Sequence, residues 1–122
     1  MPRDIRDSAR LWDMLDSARA IADFSRGQQF DDLLADRMLR NAIERNLEVI
    51  GEAARHLSAD IRVEHPDIPW SSIIGLRNVI AHEYGEIEYE KIWIVCTRRL
   101  PLLIEQLESM DIENPPALEE PQ

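Results

Sequence analysis

The chain has 122 residues, the length of one domain with room for a real hydrophobic core. It carries 24 Asp and Glu against 14 Lys and Arg, a formal charge of −10, which argues against a protein that attracts nucleic acid through a diffuse basic field. A lone cysteine, Cys96, closes no intrachain disulfide, the N-terminus turns polar at once, and the longest apolar run, Ile92–Cys96, is far too short to span a bilayer. A soluble cytoplasmic protein with no membrane contact is the expectation.

With four glycines and helical spacing nearly throughout, the sequence predicts an all-α fold, an antiparallel up-down bundle of four helices over residues 1–110. In the first helix Leu11, Met14, Leu15, Ala18, Ile21, Ala22 and Ser25 share one stripe, and Gly27 is placed to end it in the left-handed conformation. A second, longer helix is predicted to start near Asp31 or Asp32. It repeats Leu39, Ile43, Asn46, Ile50, Ala53 and Leu57 at alternating spacings of four and three, with His56 near its end.

Residues 58–69 read as a loop because Pro66 and Pro69 interrupt any helix through them. A third helix is expected from about Trp70 to Tyr84, closed by Gly85. A fourth begins at Glu86–Glu88 and turns Ile92, Trp93, Cys96, Leu100, Leu103, Ile104 and Leu107 inward. Pro101 inside that helix should bend it or free a carbonyl near Thr97. Residues 111–122 are acidic, proline-rich and aperiodic, and are expected to be a disordered tail. Gly51 and Gly75 fall inside helices, where glycine costs about 1 kcal/mol relative to alanine. At least one should therefore admit a tryptophan or a neighbouring helix at close range.

The histidines offer no metal-binding helical pair, and no glycine-rich phosphate loop or hydrolase motif occurs, so neither a metal centre nor a cofactor is expected. Chemistry concentrates in Leu76-Arg77-Asn78-Val79-Ile80-Ala81-His82-Glu83-Tyr84. Asn78 and His82 share a helical face, while Arg77 and His82 lie about 140° apart around the axis. RNA phosphodiester cleavage without metal needs a proton acceptor for the 2′-hydroxyl, a proton donor for the 5′-oxygen and a cation for the phosphorane. An arginine and a histidine supply part of that set, and two copies across a two-fold axis supply it more fully. Spacing alone fits better a capping His82, an Arg77 paired with an acidic residue such as Glu48 or Glu52 of the second helix, and a Tyr84 that closes the core.

Arg77, four residues, His82, one residue and Tyr84 resemble the RX4HXY motif of HepT-like toxins of the HEPN superfamily. The likeness extends through Ile50-Gly51-Glu52-Ala53, Pro66-Asp67-Ile68-Pro69-Trp70, Gly75-Leu76-Arg77-Asn78, Trp93 and Leu100-Pro101, covering roughly residues 5–108. The resemblance implies a homodimer with a composite site at its interface. It further implies a type II toxin that is a metal-independent endoribonuclease acting on tRNA or mRNA. Arg77 and His82 are then catalytic and Asn78 a positioning residue. A minimal nucleotidyltransferase (MNT) antitoxin is implied as partner, using ATP to place AMP on Tyr84. Arg40, Arg45 and Arg55 on the second helix are candidate RNA contacts. A different class of function, a non-catalytic dimeric helical module that docks onto a nucleotidyltransferase, accounts for the same helices.

Overall fold

The computed structural model describes residues 4–80 and 88–112. Expectations for residues 81–87, His82 and Tyr84 among them, and for residues 113–122 of the tail lie outside the described residues. Among the described residues the regular structure is helical, in the order α1 (Ile5–Ser25), α2 (Phe30–Ala35), α3 (Arg37–Arg55), α4 (Ala59–Glu64), α5 (Trp70–Ile74), α6 (Leu76–Ile80), α7 (Tyr89–Ile94), a π-helical turn (Val95–Arg99) and α8 (Leu100–Glu108). No helix among them is long and apolar enough to cross a membrane.

The predicted stripe of α1 is the buried one: Leu11, Met14, Ala18 and Ile21 are fully enclosed, facing Ile43, Leu47 and Ile50 of α3 in one core. Gly27 takes φ +74°, ending α1 as its position predicts. α3 runs antiparallel to α1, because the residues just beyond its C-terminus fasten onto the first turns of α1. Ser58 N–H and Oγ donate to the two carboxylate oxygens of Asp7 at 3.0 and 2.6 Å, and Arg10 Nη1 donates to the His56 carbonyl at 3.1 Å. Asp7 is a buried carboxylate that the apolar pattern gives no reason to expect.

The long second helix of the sequence reading is two helices. Asp36 adopts an extended conformation (φ −113°, ψ 102°), and its carboxylate accepts from Leu39 N–H at 3.1 Å, so it caps a new helix instead of continuing the old one. Asp32 does not open the first of them but reaches back to the Gln29 N–H at 2.7 Å. Residues 58–69 are likewise not all loop. Ser58 caps the short helix α4, which buries Ile61 and ends at Glu64, before Pro66. Arg62 of α4 donates to the carbonyls of Ala54 and Arg55 and closes the open end of α3.

The third predicted helix is divided at Gly75 into α5 and α6, with Asn78 N–H reaching the Gly75 carbonyl at 2.9 Å. Gly75 meets only the Ser71 and Ser72 carbonyls of its own preceding turn. Gly51 is the glycine that admits a neighbour: a Cβ there would stand 3.2 Å from the Ile73 carbonyl oxygen and 3.6 Å from that of Ile74. α7 starts at Tyr89, whose ring lies beneath the Arg40 guanidinium (5.6 Å to the centroid), so the fourth segment sets out from the beginning of α3. Its π-turn precedes Pro101: Leu100 N–H bonds back five residues to the Val95 carbonyl, and Thr97 Oγ1 donates to the Trp93 carbonyl. The extra residue absorbs the missing N–H of the proline, and α8 continues with Leu100, Leu103 and Leu107 buried. Met110 is also buried, and Ile112 packs against the core.

Candidate active-site groove

Arg45, Glu48, Val49, Glu52, Ala53 and His56 recur on α3 at spacings of three, one, three, one and three, the period of a single helical face. With Arg10 and Asp13 of α1 and Arg77 of α6 they line a groove of about 610 Å³. Gly51, on the neighbouring side of the same turn, lets the α5–α6 junction approach. The Arg77 Cγ lies 3.8 Å from where a Cβ of residue 51 would be. A bulkier residue at 51 would hold Arg77 away from α3.

Glu52 is the hub of the groove. Its Oε1 lies 2.8 Å from His56 Nε2, and its Oε2 lies 3.5 Å from Arg77 Nη1 and 3.9 Å from Arg55 Nη1. The hydrogen bond from His56 holds the Glu52 carboxyl below its ordinary range. The charges of Arg55, His56 and Arg77 add to this and outweigh partial burial. Across the groove, burial and the nearby Asp16 push the Asp13 carboxyl up, while Arg10 pulls it down. Arg45 pairs with Glu48 at 3.6 Å. Three arginines and three carboxylates thus line the groove, with His56 beside them. Among the described residues no three His, Cys, Asp or Glu side chains converge to hold a metal ion.

Of the residues singled out from the sequence, Arg77 faces this groove with its side chain 56% exposed, and Asn78 beside it is exposed. Arg45 lines the groove and Arg55 borders it through Glu52. Arg40 stands elsewhere: its Nη1 donates to the carbonyls of Leu33 and Leu34, closing α2 while its guanidinium covers Tyr89. Arg10, Asp13 and the groove position of His56 were not expected. The face of α3 was legible in its spacing, but the approach of α1 to it was not. A second hollow of about 290 Å³ separates α5 and α6 from α8, with an apolar floor of Ile73, Leu76 and Leu103 and with Arg98 and Arg99 on its wall.

The sequence profile of the HepT-like family, described as "Ribonuclease HepT-like", matches residues 14–110. "Putative RNase MJ1380" of Methanocaldococcus jannaschii is 34% identical over 106 residues, 87% of this chain and 95% of that protein. "Putative RNase MJ0127" of the same organism is 38% identical over 93% of this chain and 95% of its own length. "Probable ribonuclease HepT" of Thermococcus cleftensis is 30% identical over 82% of this chain and 91% of its own length. No solved structure matches the chain.

Proposed function

Because this chain belongs to the HepT-like ribonuclease family, we propose that it is a type II toxin, a metal-independent endoribonuclease whose catalytic residues are Arg77 and His82. The observation that carries this reading is the position of Arg77. It stands on α6 and lines a groove of about 610 Å³ together with Arg10 and Arg45, within a family match that also spans His82 and Tyr84.

In this mechanism the 2′-hydroxyl of the substrate attacks the adjacent phosphorus and loses its proton to a base. The 5′-oxygen leaves with a proton from an acid, giving a 2′,3′-cyclic phosphate and a 5′-hydroxyl. Arg77 neutralises the charge that gathers on the phosphorane, and His82 carries one of the two proton transfers. One chain holds a single such pair, so a homodimer that brings two pairs to one cleft completes the set. Asn78 orients the phosphate beside Arg77, while Arg45 and Arg55 contact flanking phosphates. Arg40, engaged with the end of α2, contributes to folding rather than to RNA binding.

On this reading an MNT-type nucleotidyltransferase partner in the cytoplasm silences the enzyme through Tyr84. AMP transferred from ATP to the Tyr84 hydroxyl oxygen, with release of pyrophosphate and the phenolic proton, adds bulk and negative charge two residues along the sequence from His82. It occupies the cation that the substrate phosphate needs and repels RNA. The ion pair between Arg77 and Glu52 is also what a purely structural arginine would make, and on that reading the chain is a docking module for the transferase.

Expression of wild type, Arg77→Ala and His82→Ala separates the two. The toxin reading expects growth arrest and RNA cleavage in the presence of chelator from wild type alone, with all three proteins folded. Equal harmlessness of the three, with no cleavage by wild type, refutes it. For the modification, incubation with the transferase and ATP should add AMP mass to wild type and none to Tyr84→Phe.

A further inference from the structure

A carboxylate beside the arginine that must hold a phosphate is an electrostatic liability, since Glu52 cancels one of the three arginine charges of the groove and leaves cations and anions balanced. The two oxygens of Glu52 are nevertheless divided between two different partners, Oε1 toward His56 and Oε2 toward Arg77. Residues 52 and 56 lie four apart on one face of α3, so the backbone fixes the first contact. The turn that carries His56 is itself held, by Arg10 on the His56 carbonyl and by Arg62 on the carbonyls of Ala54 and Arg55.

We propose that Glu52 is a positioning residue for RNA cleavage: His56 locks its carboxylate from one side, and its other oxygen aims the Arg77 guanidinium into the groove. The assignment rests on the ribonuclease reading above. An arginine more than half exposed samples many rotamers, and each conformer away from the groove lowers the fraction of molecules ready for the transition state. The carboxylate contact selects the productive set in advance. Glu52 is ionised at neutral pH, as any ordinary glutamate is, and the hydrogen bond from His56 with the charges of Arg55 and Arg77 holds its carboxyl lower still. It is half-exposed, so its substitution leaves the core intact.

The liability and the positioning role have effects of opposite sign, which makes them separable. Charge removal alone lowers KM and leaves kcat unchanged. Loss of positioning lowers kcat. In single-turnover and steady-state cleavage of a single-stranded oligoribonucleotide, Glu52→Ala is expected to lose about 10- to 100-fold in kcat without a rise in KM. Glu52→Gln, which keeps an acceptor oxygen, is expected to recover part of that loss. His56→Gln, with an amide donor, should stay closer to wild type than His56→Leu.

A wild-type kcat in Glu52→Ala overturns the proposal. If wild type itself fails to cleave, the ribonuclease reading falls separately, and an activity-independent readout still decides the positioning role. The side-chain N–H resonance of Arg77 in the free protein should be sharp in wild type, broadened in Glu52→Ala and partly restored in Glu52→Gln. An unchanged resonance in Glu52→Ala refutes the assignment.

Discussion

Replacing Gly51 by alanine sets two effects of similar size against each other, and the structure decides which wins. Inside α3 the substitution gains about 1 kcal/mol of helix propensity. The new Cβ, however, stands 3.2 Å from the Ile73 carbonyl oxygen, against a comfortable separation of about 3.5 Å. What must give is backbone at the end of α5, between the buried side chains of Ile73 and Leu76, not the free end of a long side chain. Overpacking of that kind costs about 1–3 kcal/mol, so the balance is a net loss of about 1 kcal/mol. For a domain of this size the melting temperature falls by about 4 °C. Gly51→Leu, which pushes a whole side chain into the same contact, should lose more than about 3 kcal/mol. Thermal and urea unfolding measure both. Because the displaced junction carries Arg77, cleavage measured well below the melting temperature should fall further than the folded fraction does. A Gly51→Ala protein more stable than wild type with full activity would show that the junction retreats freely, and the close approach would lose its significance for the site.

Three further outcomes follow from particular contacts. Asp7→Ala strands Ser58 N–H and Oγ, so urea unfolding should show a loss of about 2 kcal/mol. Ser58→Ala should cost about 1 kcal/mol, and the double variant less than the sum. The Cys96 thiol, pushed up to about 12 by burial, should react with iodoacetamide far more slowly in the native protein than in denaturant; equal rates would contradict its enclosure. Glu52 titrates below its ordinary 4.5 in the folded chain. Its contribution to stability is therefore complete above that value and is lost as pH falls through the depressed one. Glu52→Gln should flatten the fall in melting temperature as pH drops below about 5, and an unchanged slope there would remove the linkage.

The sequence conveyed what repeats and withheld what depends on long-range contact. The stripe of α1, the positive φ of Gly27 and the tight passage at Gly51 follow from local spacing and backbone chemistry, and all three hold. The break at Asp36 was hidden because an aspartate is as acceptable just inside a helix as it is at a cap, and only the extended ψ distinguishes the two. α4 was hidden by the prolines that follow it, although Ser58 is an ordinary N-cap. The π-turn was legible only as trouble near Thr97 and Pro101, since an interrupted hydrogen-bond ladder admits several repairs. At the site, Arg77 and its partner Glu52 were within reach of helical spacing. Arg10 and Asp13 were not, because their place in the groove is set by how α1 lies against α3.

The bonds from Asp7 to Ser58 and from Arg10 to the His56 carbonyl make the opening turns of α1 a latch on the far end of α3. Deleting the first ten residues would remove both contacts, and with them the hold of α1 on Ser58 and on the histidine that steadies Glu52. Such a trimmed protein should remain folded through its deeper core while its groove loosens. An affinity tag joined ahead of Asp4 through a flexible linker leaves the latch closed.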